Sequence, residues 1–197
     1  MENKDIEYMT SPEELDKKEK ELKDLPLFER LNHIKDRENR PALHGLRNMK
    51  DIIGFEIGAL YGVHAKHILE NYDIKKLYMI DPFDLLKNNP KDLESICISY
   101  LKPYMDKIIL YKGFSEDAID IIPNDLDFIY IDGDHSYKGV IYDFIHYYHK
   151  VKKGGIFGGH DYVEHRAPYC VAAVDQMQKF VKEPIQHEHW DWWLIKE

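Results

Sequence analysis

Two short stretches carry the residues best suited to chemistry: Asp132-Gly133-Asp134-His135-Ser136-Tyr137 and Gly158-Gly159-His160-Asp161-Tyr162. Asp132, Asp134, His160 and Asp161 would sit on adjacent strand tips and offer two or three carboxylate oxygens and an imidazole nitrogen, a set able to hold a divalent cation, with Mg2+, Mn2+ or Ca2+ favoured by the carboxylates. Such a cation would bind a hydroxyl, lower its pKa and orient it. The same acids also have a purely structural use, accepting backbone N–H groups where a strand turns into a loop. Asp134 and His135 are the candidates for a general base, since histidine titrates near neutrality and a neighbouring carboxylate can orient it. The chain has 11 histidines, so most are bystanders. His146 and His149 read as solvated positions on the outer part of a helix. His187 and His189, two apart on an expected strand, would share a face but have no evident third ligand, which favours a surface reading.

A second constellation points to a nucleoside. Phe55-Glu56-Ile57-Gly58-Ala59-Leu60-Tyr61-Gly62 is an apolar run ending in a glycine turn, and Leu77-Tyr78-Met79-Ile80-Asp81 follows one β-α unit later. A strand, a glycine turn, a helix and a second strand tipped with an acid is how open α/β sheets hold a ribose. A dinucleotide turn needs a middle glycine so that a pyrophosphate can approach the backbone. Leu60 stands at that position, so the turn suits a nucleoside without phosphates. Asp81 can accept from both ribose hydroxyls, or can cap the loop that begins at Pro82. Ser115 opens a helical segment, where it can act as N-cap, contact an adenine edge, or do both.

These residues need strand ends to bring them together. Apolar strands are expected at Ile52–Ile57, Leu77–Ile80, Ile108–Tyr111, Leu126–Ile131 and Gly155–Phe157. Helices are expected between them, at Val63–Tyr72, Lys91–Leu101, Glu116–Ile121 and Tyr137–Val151. In the last, Val140, Ile141, Phe144, Ile145, Tyr148 and Val151 fall on one helical face. A further helix, Val171–Phe180, precedes a tail from Pro184 to Ile195 that reads as two strands with a tight turn. Strands alternating with helices mean a doubly wound, Rossmann-like α/β sheet that is mostly parallel. Such sheets bind ligands at the carboxyl ends of their strands. Glu56, Gly58, Asp81, Ser115, Asp132, Asp134, His160 and Asp161 all follow or end strands.

Residues 1–50 differ from the rest. Ser11-Pro12-Glu13-Glu14 reads as a helix start, with Ser11 as N-cap, Pro12 at N1 and Glu14 at N3. The helix that follows is too polar to bury much. Leu27, Phe28, Leu31 and Ile34 form a better amphipathic stripe. The expected division is therefore a helical extension at 1–50, serving as a cap over the site or a dimer contact, and a catalytic domain at 51–197.

Composition narrows the class. The chain of 197 residues is 44% hydrophobic and 32% charged, which suits a globular domain with an extension. A net charge of −9 argues against a nucleic-acid partner, which calls for a basic stripe. Cys97 and Cys170 lie far apart with no CxxC spacing, so a reduced, cytoplasmic protein is expected. No apolar run approaches membrane length, and no membrane partner is expected.

Glu56-Ile57-Gly58 with Gly62, Asp81, Ile131-Asp132-Gly133-Asp134-His135-Ser136-Tyr137, Gly154 to Tyr162 and Val171-Ala172-Ala173-Val174-Asp175 together resemble the class I S-adenosylmethionine (SAM)-dependent methyltransferases. The branch they resemble is the methyltransferase domain 24 group, related to macrocin-type and catechol-type O-methyltransferases. The resemblance implies a seven-stranded sheet with an antiparallel C-terminal strand. It implies SAM held at Glu56, Gly58, Ala59, Gly62, Asp81, Ser115 and Asp132. It implies a metal at Asp132, His160 and Asp161, although relatives commonly carry Asp-Asp or Asp-Asn where His160-Asp161 stands. In some sugar-methylating relatives the second acid of the D-x-D stretch is the base, which points to Asp134. The acceptor implied is the hydroxyl of a small molecule or carbohydrate. Two other readings compete: a nicotinamide-dependent oxidoreductase, against which Leu60 counts, and an inactive binding module that keeps the fold.

Overall fold

The structure, a computed structural model, describes residues 40–84 and 93–197. The helix expected after Ser11, the stripe Leu27–Ile34, the first residues of the helix expected from Lys91 and most of the loop Phe83–Pro90 lie outside the described residues.

The elements run β1 Ile52–Ile57, α1 Val63–Asn71, β2 Ile74–Asp81, α2 Leu93–Tyr100, β3 Ile108–Lys112, β4 Leu126–Ile131, α3 Tyr137–Tyr147, β5 Val151–Gly159, α4 Pro168–Met177, β6 Gln186–Glu188 and β7 Asp191–Ile195, with short 3-10 turns between some of them. They form one seven-stranded sheet in the order β3-β2-β1-β4-β5-β7-β6. The strands β1 to β5 are parallel neighbours, and β7 runs antiparallel to both β5 and β6. This is the expected class I methyltransferase sheet, with its reversed strand at the C-terminus.

The central strands are apolar because helices cover both faces of a parallel sheet. Every residue of β4 is buried. Phe55, Ile129, Phe157 and Trp192 join the core with Val140, Phe144 and Tyr147 of α3 and Ala173 and Met177 of α4. The registers align the strand tips: Ile57 lies opposite Ile80 on β2 and Ile131 on β4, and Ile131 lies opposite Gly159 on β5. Residues immediately after these positions therefore emerge at one edge.

Several elements differ from expectation. The strands β2 and β5 are longer, the first beginning at Ile74 and the second at Val151. The segment expected as a helix over Glu116–Ile121 is a 3-10 turn over Ser115–Ala118. Pro123 follows closely and opposes continuation of an α-helix. α3 ends at Tyr147 and tightens into a 3-10 turn at Tyr148–Lys150. Ile145, within α3, is 61% exposed, while Asp143 and Tyr147 are buried on this helix. α4 begins at Pro168, where the fixed φ and missing N–H suit a first helical turn. β6 ends at Glu188, and His189 sits in the turn at φ 54, so it does not share a strand face with His187.

Candidate functional site

The strand order brings the ends of β2, β1, β4 and β5 side by side, at the point where consecutive connections diverge to opposite sides of β1. Open α/β sheets place their ligands at such a divergence.

The glycine turn after β1 is built for close approach. Gly58 has φ 93, and a Cβ there would lie 2.1 Å from the carbonyl oxygen of Asp132. The turn thus presses against the backbone of the β4 tip. Gly62 closes it at φ 78 and caps the start of α1. Its N–H donates to the Ala59 carbonyl, 2.7 Å away. Leu60, where a dinucleotide turn has glycine, sits at φ 45, and its N–H donates to Asp81 Oδ2 at 2.8 Å. The other Asp81 oxygen accepts from the Phe83 N–H at 2.6 Å. The buried Asp81 carboxylate is thus fixed by two backbone donors, and each oxygen keeps a lone pair for a ribose hydroxyl.

Glu56 lies below this turn and is fully buried. One carboxylate oxygen is 2.8 Å from Nδ1 of His64, in the first turn of α1, while Oε2 has no hydrogen-bond partner among the described residues. Burial pushes the Glu56 carboxyl well up; the charges of Asp132 and Asp81 add to this, and Arg40 opposes it. His64 was not anticipated as a site residue. Its only signal was its place two residues after Gly62, at the start of the helix that the turn launches.

Ser115 opens the turn after β3. Phe114 occupies the N-cap position rather than Ser115, and the Phe114 N–H is capped by Asp117 Oδ2 at 2.9 Å. The Ser115 carbonyl accepts from the Tyr147 hydroxyl of α3. Beneath it lies Asp143, buried, with Oδ1 lacking a hydrogen-bond partner among the described residues. Burial raises the Asp143 carboxyl to about 7; Ser115 opposes the shift, and Glu116 and Asp134 contribute to it.

Four side chains converge at the tips of β4 and β5. Nδ1 of His135 is 3.1 Å from Asp161 Oδ2, and its Nε2 is 3.9 Å from Asp132 Oδ1. Nδ1 of His160 is 3.5 Å from Asp161 Oδ2 and 3.7 Å from Asp132 Oδ1. Asp132, His135 and Asp161 each present a ligand atom within 4.8 Å of the others. Backbone pairing sets these positions: the Asp132 N–H donates to Ile57 and the His160 N–H to Ile131. Asp161 adopts φ 64, a left-handed conformation that Asp tolerates better than most residues and that aims its carboxylate back at the histidines. Burial raises the Asp132 carboxyl, against the opposing charges of Arg40, His160 and His135. Burial also acts to raise Asp161, but the His160 hydrogen bond and the His135, His160 and Arg40 charges outweigh it, and the net shift is downward.

Asp134 is not brought into this cluster. Its two oxygens accept from the Ser136 N–H and hydroxyl, each at 2.9 Å, at the entrance to α3. Sequence reasoning missed Arg40 altogether. Its guanidinium is buried, donates to the Tyr130 hydroxyl at 2.8 Å, and lies 3.4 Å from Asp191 Oδ1 and 3.8 Å from Asp132 Oδ2. Asp191 in turn accepts from the Tyr130 hydroxyl at 2.7 Å and from the Ala42 N–H at 3.2 Å. On the outer side, the Trp190 ring lies 5.6 Å from that of His160, with the Arg166 guanidinium 4.7 Å from the indole.

The sheet, its reversed strand and the acid-tipped glycine turn define a nucleoside-binding α/β domain. Comparison with known proteins agrees: the family described as "Methyltransferase domain" matches residues 55–162. The chain belongs to this family, within the class I SAM-dependent methyltransferases. An uncharacterised protein of Acanthamoeba polyphaga mimivirus is 33% identical over 136 residues, a match covering 64% of this chain and 59% of that protein. The chain thus spans somewhat more than half the length of this relative. Among solved structures, CalS11, a TDP-rhamnose 3'-O-methyltransferase of calicheamicin biosynthesis, superimposes with a TM-score of 0.66 at 15% identity, covering 94% of this chain and 95% of that one. MycE from the mycinamycin pathway, solved with Mg, S-adenosylhomocysteine and mycinamycin VI, gives 0.56 at 14% identity, covering 84% and 54%. At such identities the likeness is one of fold. Among the described residues, no helix is long and apolar enough to cross a membrane.

Proposed function

We propose that this protein transfers the methyl group of SAM to a hydroxyl of a small molecule or sugar, with residues 51–197 as the catalytic domain and residues 1–50 as its extension. The observation that carries this reading is the convergence of Asp132, His135, His160 and Asp161 beside a glycine turn already in contact with Asp132. A nucleoside seated at the turn would present its reactive end to that cluster. CalS11, a TDP-rhamnose 3'-O-methyltransferase, and MycE, solved with mycinamycin VI, share the fold and support an acceptor of this kind.

In this reading Asp81 accepts from the ribose hydroxyls and the unpartnered oxygen of Glu56 meets the ammonium of the methionine end. Gly58, Ala59 and Gly62 keep the turn low enough for that end to lie over it, and Ser115 stands at the adenine edge. Asp132 spans both halves, its backbone against Gly58 and its carboxylate in the cluster. Methyl transfer is an in-line displacement: the acceptor oxygen bonds to the methyl carbon as the carbon–sulfur bond breaks, and the sulfonium becomes a neutral thioether. Alignment and exclusion of water are the main requirements. A protonated hydroxyl is a poor nucleophile, so its proton must leave, and the candidate acceptors are His135, within the cluster, and Asp134, the residue before it in sequence.

A divalent cation is part of the proposal, held by Asp132, His160 and Asp161, and when bound it would lower the pKa of a coordinated hydroxyl. The donor set does not fit Mg2+, which demands near-octahedral coordination and prefers oxygen, because an imidazole stands among the carboxylates. The test is incubation of the full chain with methyl-labelled SAM and a panel of glycosides, sugar nucleotides and catechols. Label in an acceptor that gains the mass of one CH2 on oxygen supports the reading. Absence of SAM binding at millimolar concentration by calorimetry ends it, and binding of NADH in its place would favour the oxidoreductase.

A further inference from the structure

The four-residue cluster carries a sharper statement about its cation. We infer that His135 is a ligand as well as His160, and that the site is a two-histidine, two-carboxylate centre selective for a first-row transition ion of the Mn2+ to Zn2+ series over Mg2+. The inference deepens the cation part of the proposed function and rests on that reading only for the use to which the ion is put.

The geometry supports it in three ways. The His160 Nδ1 separations of 3.5 and 3.7 Å from the two carboxylate oxygens approach the edge of a ligand tetrahedron, which is about 3.4 Å for bonds of about 2.1 Å. His135 approaches the same two carboxylates with different ring nitrogens, Nδ1 3.1 Å from Asp161 Oδ2 and Nε2 3.9 Å from Asp132 Oδ1, and a turn of the ring would offer one of them to the ion. One ligand atom from each of Asp132, His135 and Asp161 already lies within 4.8 Å of the other two, and His160 Nδ1 stands beside the same two carboxylates. Second, the donors are held from behind: Arg40 lies against the far oxygen of Asp132, and strand pairing fixes the His160 backbone. Such outer partners orient ligands and tune affinity. Third, the cluster is partly open to solvent on the His135 side, which leaves room for a coordinated hydroxyl.

Ligand chemistry sets the selectivity. Imidazole suits Zn, Cu, Fe and Ni, whereas carboxylate and water suit Mg, Ca and Mn. Two nitrogens among four donors therefore favour an ion that tolerates both and disfavour one that requires six oxygens. With His135 engaged in coordination, the role of proton acceptor falls to Asp134, whose oxygens accept from the Ser136 N–H and hydroxyl.

Co2+ is the probe, because its d–d bands report nitrogen and oxygen coordination directly. Full-length protein, freed of any polyhistidine tag and dialysed against chelator, is titrated with CoCl2, and the visible spectrum is recorded. The expected result is saturable d–d absorption at one equivalent, abolished by equimolar Zn2+ and unaffected by a hundredfold excess of Mg2+. His135→Asn and His160→Asn each weaken Co2+ binding at least about tenfold while circular dichroism and SAM affinity stay unchanged. Absence of a d–d band, or displacement by Mg2+ at comparable concentration, overturns the inference. Unchanged Co2+ binding in His135→Asn, with slowed turnover, overturns the ligand role and returns His135 to proton transfer. SAM calorimetry on the same samples separates the two failures: no cobalt band with intact SAM binding removes only the cation centre, whereas a cobalt band without SAM binding removes the methyl-transfer reading.

Discussion

The backbone N–H of Leu60 donates to Asp81 Oδ2 at 2.8 Å, joining the glycine turn of β1 to the acid that ends β2. Leu60 itself adopts a left-handed conformation at this point of the turn, φ 45. One carboxylate thus both shapes the nucleoside turn and faces the ribose position.

Asp81→Asn tests the two roles together. The amide nitrogen must face either the Leu60 or the Phe83 N–H, leaving a buried donor unsatisfied at a cost of about 1–3 kcal/mol. The melting temperature should fall by roughly 3–10 °C for a domain of this size. SAM affinity should fall at least about tenfold, since hydrogen bonds to a charged acceptor are lost as well. Calorimetry and thermal melts read both effects. A lowered melting point with unchanged SAM affinity would leave Asp81 as a turn acid alone.

Gly58→Ala and Gly154→Ala separate close approach from conformational strain. Both glycines have positive φ, 93 and 78. A Cβ at Gly58 would lie 2.1 Å from the Asp132 carbonyl oxygen, a backbone atom that cannot step aside, whereas a Cβ at Gly154 meets nothing within 4 Å. Gly154→Ala should therefore cost only the left-handed penalty of about 1–2 kcal/mol and leave SAM binding intact. Gly58→Ala should lose SAM binding and cost several times more in chemical denaturation.

Much of this arrangement was legible because it follows from local pattern. The bounds Ile52–Ile57 and Leu126–Ile131 were read correctly, since strands buried on both faces are continuous apolar runs. The positions of Asp81, Asp132 and His160-Asp161 at the sheet edge follow from strand ends alone. What was not legible depends on distant pairing or on side-chain direction. Arg40 meets Tyr130 and Asp191 across sequence separations of 90 and 151, and no local signal announces such a contact. Asp134 and His135 are adjacent in sequence, yet one turns to Ser136 and the other to Asp161. The buried face of α3 was misjudged at Ile145 because helical period places a residue on a face without fixing which neighbours cover it.

Asp143 gives a pH dependence with a definite sign. Its folded-state carboxyl is raised by burial to about 7, above the ordinary value of 3.8. Between these values the folded chain holds a proton that the unfolded chain has released, so stability falls as pH rises through this window and levels off above about 7. The full cost is of the order of 4 kcal/mol by linkage. Asp143→Asn removes the titrating group, so its melting temperature should be close to that of the parent near pH 4 and exceed it progressively up to pH 8. Parallel melting curves across that range would show that Asp143 is not carrying this shift.

Arg40 is the remaining test, and it concerns the support of the site rather than its chemistry. The guanidinium is the buried cation shared by Asp132 and Asp191, and the Tyr130 hydroxyl completes the group. Arg40→Met leaves two carboxylates uncompensated, and breaking a buried ion pair from one side costs about 3–5 kcal/mol. The melting point should drop by roughly 10 °C. Replacing Asp191 by Asn in the same background removes one of the stranded charges, so Arg40→Met with Asp191→Asn should be less destabilised than the sum of the single variants by at least about 1 kcal/mol. Urea denaturation of the four proteins closes this cycle. Strict additivity would mean that Arg40 does not act by neutralising Asp191, and would leave its packing against Tyr130, with the guanidinium 5.6 Å from the ring centre, and its pairing with Asp132.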